Sequence, residues 1–114
     1  MSAYLIVRVT VRDQVAYREY MQHTPRVIDQ FGGRMLVRGG ATETLEGREE
    51  TQRIVIIEFP SMEQAKAFYA SPEYQKAKAL REGAGEGQFI LVEGYPESQW
   101  REVVEESGRR SFDG

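Results

Sequence analysis

Hydrophobic and polar positions alternate through the first residues of the chain. From Ala3 to Val11 every second residue is small or aliphatic, which is the period of a β-strand with one buried face. The intervening tyrosine, isoleucine, arginine and threonine indicate a second face that is partly covered. A helical period follows from about Gln14 to Gln30, with Asp13 as its N-cap. Pro25 interrupts this helix and predicts either a kink or a new cap at Thr24.

The stretch from Arg53 to Arg81 predicts the centre of the sheet and its helical cover. It opens with an apolar run, Ile54 to Phe59, that is typical of a buried strand and that a proline ends. Ser61 then caps one helix, and Ser71 caps a second helix with Pro72 at its first position. This stretch therefore predicts a strand followed by two short helices.

Shorter segments complete the predicted order of elements. A glycine pair ends the first helix and precedes a short strand, Arg34 to Arg38. The polar segment from Ala41 to Thr51 predicts an extended hairpin arm with Gly47 in its turn. The glycine-rich segment from Gly83 to Gly87 predicts a loop, because it precedes a strand pattern, Gln88 to Glu93, and does not open a helix.

The order strand–helix–strand occurs twice, which predicts an α+β fold of the ferredoxin-like βαββαβ type. Such a domain, here residues 1–96, has a four-stranded antiparallel sheet with helices on one face. The strands are apolar on both faces, and one layer of helices covers only one of them. We therefore predict a homodimer whose sheets pack face to face as a dimeric α+β barrel.

Residues 97–114 form a charged tail outside this domain. Trp100, Val103 and Val104 fall on one side of a helical pattern, which predicts a short amphipathic helix. Beyond Ser107 the composition predicts disorder.

Composition narrows the classes of function. The 114 residues carry a net charge of −3 without a basic stripe, which argues against nucleic acid as a partner. The absence of cysteine and the single histidine exclude a thiolate site and a multi-histidine metal site within one chain, and we expect neither metal nor cofactor. No apolar run approaches the roughly 18 residues of a membrane span. Because the N-terminus also lacks a signal-peptide pattern, we expect a cytoplasmic protein without a membrane partner.

Several short motifs together resemble a known bacterial family. They are Gly32-Gly33, Arg38-Gly39-Gly40, Glu46-Gly47, Ile57-Glu58-Phe59-Pro60-Ser61, Phe68-Tyr69-Ala70-Ser71-Pro72-Glu73-Tyr74-Gln75 and Arg81. From about Ala3 to Gly94 the chain is similar to the family catalogued as domain of unknown function 1330 (DUF1330). The resemblance implies a dimeric α+β barrel, in a superfamily that holds small cofactor-free monooxygenases, decycling and isomerising enzymes and stress-response proteins. It implies no particular activity for this family.

Glu58 and His23 are the first candidates for acid–base catalysis. Glu58 lies in an apolar strand, where a carboxylate either pairs with a cation or acquires a raised pKa and exchanges protons. The alternative to a catalytic role is a structural ion pair with a nearby arginine. His23 flanks the apolar stripe of the first helix, and its alternative is an ordinary surface position.

Five residues are candidates for ligand binding. Arg38 precedes a glycine pair, where its guanidinium could hold a carboxylate; the alternative is a hairpin turn in which the arginine binds an acidic side chain. The other four surround the break between the last two predicted helices: Tyr69, Ser71, Tyr74 and Arg81. Free N–H groups at a helix start, with a phenol and a guanidinium nearby, favour a small carboxylate or phenolic ligand. The alternative is that both tyrosines pack in the core.

These residues lead to three hypotheses of function. The first is a homodimer that binds a small carboxylate or phenolic molecule, between sheet and helices or at the dimer seam. The second is a cofactor-independent monooxygenase- or isomerase-like enzyme, which needs a dry pocket and one base. The third is a structural or interaction module without a ligand, in which the polar groups form mutual ion pairs. The residues alone leave open whether the protein is an enzyme.

Overall fold

The computed structural model describes residues 1–109 as an antiparallel sheet with helices. The elements in chain order are β1 (Ala3–Val11), α1 (Gln14–Gln30), β2 (Arg34–Arg38), β3 (Arg53–Phe59), α2 (Met62–Ala70), α3 (Pro72–Leu80), β4 (Gly85–Glu93) and α4 (Glu97–Arg109). The strands form one four-stranded sheet in the order β2-β3-β1-β4, and every pairing is antiparallel. The predicted α+β, ferredoxin-like fold is therefore confirmed.

The core lies between helices α1–α3 and one face of the sheet, here called the inner face. Alternate residues of the central strands supply it, among them Leu5 and Val7 of β1 and Val55 and Phe59 of β3. The helices contribute aromatic rings, of which Phe68 on α2 is almost fully buried. The Phe68 and Phe59 rings lie 5.0 Å apart between centroids, so aromatic packing joins the helical layer to the sheet.

Three predicted helix caps are present. Asp13 Oδ1 accepts hydrogen bonds from two backbone N–H groups in the first turn of α1, each at 3.1 Å. Ser61 Oγ accepts from the N–H of Gln64, and Ser71 Oγ accepts from the N–H of Tyr74, also at 3.1 Å. These contacts pair amides that the start of a helix leaves without an internal partner.

Pro25 lies inside α1 without ending it, since the helix continues to Gln30. Because proline has no N–H, the carbonyl of Met21 four residues earlier loses its helical donor. Arg38 Nη2 donates to this carbonyl at 3.0 Å. The proline therefore creates an acceptor through which the end of β2 is tied to α1.

Strand β4 begins earlier than the sequence indicates, at Gly85 instead of Gln88. The predicted loop from Gly83 to Gly87 is therefore wrong in its last three residues. Gly85 pairs with Val11 of β1, and a Cβ atom on Gly85 would overlap the carbonyl oxygen of Thr10. Because the two backbones approach this closely, the ladder requires glycine at a position that resembles a turn in the sequence.

Two other expectations also change. The described segment 39–52 contains no strand, so the predicted hairpin arm is wrong; its exposed polar residues offer no apolar face to bury. Gly47 does have the left-handed φ expected of a turn glycine, +87°. Helix α4 continues two residues past Ser107, and the remainder of the predicted disorder, residues 110–114, lies outside the described residues.

The other face of the sheet, here called the outer face, lies opposite α1–α3. It carries apolar side chains that remain partly exposed: Ile6, Val37, Ile54, Ile56, Ile90 and Val92. Ile90 and Val92 on β4 are 44% and 45% exposed. The outer face is thus an apolar surface without a cover from the helical layer.

Helix α4 buries none of its residues. Trp100, Val103 and Val104, which the sequence places on one side of an amphipathic helix, are each about half exposed. The helices of residues 1–109, α4 included, are all too short or too polar to cross a membrane.

Candidate functional site

A small cavity lies between α1, α3 and the inner face of the sheet. It encloses about 30 Å³, which is room for one or two water molecules. Most of its lining is apolar, and its polar lining residues are Tyr17, Tyr20, Thr24, Arg38, Arg53 and Tyr74. A mostly apolar lining with a few converging polar groups is typical of small-molecule sites, although this space is much smaller than such sites usually are.

Two phenols meet at one side of this cavity. The hydroxyls of Tyr20 on α1 and Tyr74 on α3 are 2.9 Å apart, and both side chains are buried. Arg81 Nη2 donates to the Tyr74 hydroxyl at 3.3 Å. Because one phenol donates to the other and Arg81 only donates, one phenolic hydrogen remains available for a further acceptor.

Arg81 lies between two aromatic rings. Its guanidinium carbon is 5.2 Å from the ring centre of Tyr20 and 4.6 Å from that of Phe89. Burial lowers the pKa of Arg81, but the hydroxyls of Tyr74 and Tyr20 outweigh this effect and hold it above its usual value. Its Nε atom is buried and has no hydrogen-bond partner among the described residues. Arg81 is therefore a half-buried cation whose Nε has no acceptor among the described residues.

Arg53 is the second half-buried cation. It pairs with Val9 in the sheet register, which places its side chain on the inner face. The guanidinium carbon lies 6.0 Å from the ring centre of Tyr17, and Nη2 contacts the sulfur of Met21 at 3.3 Å. Within residues 1–109, its Nε atom is buried without a hydrogen-bond partner.

Gly39 makes room for the Arg53 side chain. Its φ is +70°, and a Cβ atom on it would overlap the Arg53 guanidinium. A residue with a side chain would meet both the strain of the left-handed conformation and this overlap. The sequence suggests that the glycine pair after Arg38 serves the Arg38 guanidinium. In the structure, Gly39 makes room for Arg53 instead.

Tyr17, Tyr20, Arg53, Tyr74 and Arg81 form what we call the Tyr–Arg cluster. Burial raises the pKa of Tyr20 well above its usual value, and the adjoining Tyr74 adds to the shift. Burial also raises the pKa of Tyr17, although the Arg53 guanidinium opposes it. These two phenols therefore stay protonated at neutral pH and, like the guanidinium groups, can donate hydrogen bonds. The chemical complement of such a cluster is an anion that accepts hydrogen bonds.

The residues predicted to bind a ligand divide into two groups. Tyr74 and Arg81 belong to the Tyr–Arg cluster, and Arg38 lines the cavity while it donates to a backbone carbonyl. Ser71 Oγ is used by the cap and by a 2.7 Å hydrogen bond to the carbonyl of Phe68. The Tyr69 ring packs against Tyr74 outside the cavity lining, with centroids 5.2 Å apart.

The two predicted acid–base residues lie away from the cavity lining. Glu58 is on the outer face, where it accepts from Arg34 Nε at 2.9 Å and from the Tyr4 hydroxyl at 3.2 Å. The hydrogen bond from Arg34 lowers the pKa of Glu58 below its usual value, although burial opposes the shift. This geometry corresponds to the structural ion pair considered as the alternative. A catalytic role for Glu58 stays a prediction that no contact of this carboxylate with the cavity supports.

His23 is exposed on α1. It lines a surface groove between α1 and α3 together with Arg26, Lys76 and Glu73. This groove lies on the far side of the helices from the sheet, so His23 is not in position to exchange a proton with a molecule in the cavity. Its catalytic role likewise stays a prediction.

Sequence reasoning missed Tyr17, Tyr20 and Arg53 as site residues. The two tyrosines belong to the helical stripe of α1 and resemble ordinary core residues. Arg53 did leave a signal, because it shares the odd-numbered phase of Val55 and Ile57, which face the core. An arginine in the buried phase of a strand is an unusual residue that points to a ligand or a buried ion pair.

The comparisons with known proteins give a family and a fold. The family model described as "Domain of unknown function (DUF1330)" matches residues 2–95. No curated protein matches the chain.

Three solved structures share the fold. A protein of unknown function from Rhodopseudomonas palustris is 20% identical, with a TM-score of 0.69 over 83% of each chain. A dimeric ferredoxin-like protein of unknown function from Bacteroides fragilis is 15% identical, with a TM-score of 0.57 over 82% of this chain and 96% of that one. SnoaB, a cofactor-independent oxygenase from Streptomyces nogalater, is 15% identical, with a TM-score of 0.52 over 83% of this chain and 94% of that one. At these identities the similarity establishes the fold alone.

Proposed function

The chain belongs to the DUF1330 family, and from that premise we propose that it binds a small carboxylate at the Tyr–Arg cluster. The observation that carries the proposal is the pair of buried guanidinium nitrogens, Nε of Arg53 and of Arg81, without partners among the described residues. Neither arginine forms an ion pair with a carboxylate in residues 1–109. A bound carboxylate would supply both the missing charge and the missing acceptors.

The energetics of burial support an anionic ligand. A buried charge without an opposite charge destabilises the folded state, because the protein does not replace the lost hydration. Arg53 lines the cavity, and Arg81 adjoins it through its hydrogen bond to the lining residue Tyr74. A carboxylate in the cavity would supply an opposite charge, and its two oxygens accept the planar donor arrangement of a guanidinium.

The cavity must widen to admit such a ligand. Met21 and Met35 form part of its wall, and methionine side chains adapt their shape at low energetic cost. Arg38 at the end of β2 is exposed and also reaches the cavity, which places a third positive charge between solvent and the Tyr–Arg cluster. This charge favours the approach of an anion.

A cofactor-independent oxygenase is the second candidate. Two observations favour this function. The chain shares its fold with SnoaB, and the Tyr–Arg cluster has hydrogen-bond donors that suit a developing enolate oxygen. Against it, the described cavity lining contains no aspartate, glutamate or histidine that could act as a base. Ligand binding needs no such base and is therefore the function we propose first.

We also propose that the protein is a homodimer joined through the outer faces of two sheets. The apolar residues of this face are only partly buried in the single chain. The solved structures from Bacteroides fragilis and Jannaschia with the same fold are described as dimeric. Pairing two outer faces would remove this apolar surface from water.

Isothermal titration calorimetry with benzoate tests the proposed binding, with benzamide as an uncharged ligand of similar shape. We expect Arg53→Met to weaken benzoate binding about tenfold to hundredfold, since a hydrogen bond to a charged group contributes about 1.5–3 kcal/mol. Benzamide binding should change little. Arg12→Met is the matched control, because Arg12 pairs with Glu86 on the surface and faces no cavity.

Two results would contradict the proposal. One is equal affinity of the wild-type protein for benzoate and benzamide. The other is unchanged benzoate binding in both Arg53→Met and Arg81→Met. Measuring oxygen consumption in the presence of enolisable ring compounds tests the oxygenase function separately. No oxygen consumption is expected if the protein only binds its ligand.

A further inference from the structure

A second, larger depression opens beside the cavity, between α2 and the edge strand β4. It has a volume of about 430 Å³ and is open to solvent. Its walls are Leu5, Phe89 and Leu91 from the inner face of the sheet and Ala65, Lys66 and Tyr69 from α2. We call this depression the α2–β4 groove. It lies on the helical side of the sheet, so the proposed pairing of outer faces would leave it free.

The groove and the cavity share two wall residues, Leu5 and Phe89. The Phe89 ring is half-buried and lies between the two spaces, with its centre 4.6 Å from the Arg81 guanidinium carbon. On the groove side the same ring meets Tyr69 edge to face, at 6.3 Å between centroids. The Phe89 ring therefore contacts the groove on one side and the Tyr–Arg cluster on the other.

The Phe89 ring has a neighbour without a side chain on its own strand. Gly87 is two residues away and faces the same side of the sheet. A Cβ atom at Gly87 would lie 3.2 Å from the Phe89 ring, closer than an ordinary contact. The ring therefore already lies against the glycine, and a side chain at position 87 would restrict its movement.

We propose that the groove and the cavity are two halves of one site, which takes a carboxylate with a flat apolar body. The carboxylate meets the Tyr–Arg cluster, the apolar body lies in the α2–β4 groove, and the Phe89 ring turns to connect the two spaces. This inference rests on the proposed function and adds the class of ligand. The groove has an apolar floor and a volume typical of small-molecule sites, whereas the cavity alone holds only one or two waters.

A pair of carboxylates that differ only in their apolar body tests this inference. We expect wild-type protein to bind naphthoate about tenfold more tightly than benzoate, because the second ring buries further apolar surface. Leu91→Trp fills the groove and should weaken naphthoate binding more than benzoate binding, so that the preference falls to about twofold or less. Leu80→Trp is the matched control: Leu80 lines the groove between α1 and α3 and should leave the preference unchanged.

A measurement on the wild-type protein does not depend on the folding of a variant. Nuclear Overhauser contacts from naphthoate ring protons should reach the Leu91 methyl groups and the Phe89 ring, and not the Leu80 methyl groups. Equal affinity for naphthoate and benzoate, or contacts at Leu80 in place of Leu91, would show that the α2–β4 groove does not hold the apolar body of the ligand. Either result would leave the proposed carboxylate site intact. Binding of neither compound would overturn the proposed function and this inference with it.

Discussion

The two faces of the sheet hold their arginines in opposite ways. On the outer face, Arg8 lies 2.7 Å from Glu50 and Arg34 lies 2.9 Å from Glu58. On the inner side, Arg53 and Arg81 have no carboxylate partner within the described residues. Sheet strands contribute to both sets, since Arg8 is on β1 and Arg53 begins β3, whereas Arg81 follows α3. The proposed function assigns the outer charges to the fold and the inner charges to a ligand.

Energetics sharpen this contrast. In the single chain the outer pairs are in contact with water, with the Arg34 side chain 73% exposed, and exposed ion pairs contribute little to stability. A buried guanidinium with an unmatched N–H destabilises the folded state. A chain of marginal stability retains such groups mainly where they serve a function. The less favourable arrangement is thus the more informative one about function.

The largest expected effect concerns the outer face. Ile56→Lys places a charge at the centre of the proposed sheet-to-sheet contact, and a buried charge without a partner costs about 3–5 kcal/mol. Sedimentation velocity at micromolar concentration should show a dimer for the wild-type protein and a monomer for the variant. Val15→Lys is the control, because Val15 is 72% exposed on α1. A monomeric wild-type protein, or an unchanged dimer of Ile56→Lys, would remove the proposed interface.

On the inner side, Gly39→Ala should have the next largest effect. A left-handed alanine costs about 1–2 kcal/mol, and the new Cβ would also displace the Arg53 guanidinium. We expect chemical denaturation to show a loss of about 2 kcal/mol or more, with weaker benzoate binding. Two variants serve as controls. Gly47→Ala introduces the same left-handed strain without an atom near the new Cβ, and Gly40→Ala introduces neither the strain nor a contact within 4 Å. If Gly39→Ala matched Gly47→Ala in stability and benzoate affinity, the room that Gly39 leaves for the Arg53 side chain would have no role in stability or binding.

A double-mutant cycle on the two phenols comes next in size. Tyr20→Phe and Tyr74→Phe each leave one buried hydroxyl without its 2.9 Å partner and should each destabilise the protein by about 1–2 kcal/mol. The double variant leaves no such group, so its loss should be smaller than the sum, with a coupling of about 1 kcal/mol. Urea denaturation of the four proteins measures this coupling. Strictly additive losses would mean that the hydroxyls do not interact.

The smallest expected effect is at Glu58 on the outer face. Its lowered folded-state pKa means that the carboxylate stabilises the fold above its unfolded-state pKa, and that this contribution is lost as the pH falls through the lowered value. Glu58→Gln should therefore be slightly less stable than the wild-type protein at neutral pH, with a difference that disappears in acid. Urea denaturation across the acid range measures it. A difference that grew on acidification would indicate a raised pKa and would return Glu58 to the catalytic candidates.

Much of the fold could be predicted from the chain, because the signals are local. The alternation of β1, the apolar run of β3 and the caps Asp13, Ser61 and Ser71 each depend on residues a few positions apart. The start of β4 could not, because Gly85 and Gly87 look like turn residues until their close partner strand is known. Backbone approach between distant segments leaves little trace in one sequence.

The candidate site was predictable only in part, for the same reason. Tyr74 and Arg81 lie seven residues apart on one helical segment, and their hydrogen bond follows from local geometry. Tyr20 and Arg53 reach the same cavity from other elements, so their proximity depends on the tertiary fold. Glu58 and Arg53 fall in opposite phases of the same apolar strand, and the register confirms that Glu58 faces outward and Arg53 faces inward.

The most direct test compares the free energy of unfolding of wild-type protein and Arg53→Met, each with and without saturating benzoate. Without ligand, we expect Arg53→Met to be as stable as wild type or about 1 kcal/mol more stable, since an unmatched buried group is removed. Benzoate at a hundred times its wild-type dissociation constant should stabilise the wild-type protein by about 2.7 kcal/mol. At the same concentration it should stabilise the variant, whose binding is about tenfold to hundredfold weaker, by only about 0.4–1.4 kcal/mol. A less stable variant with an undiminished response to benzoate would mean that Arg53 serves the fold and not a ligand.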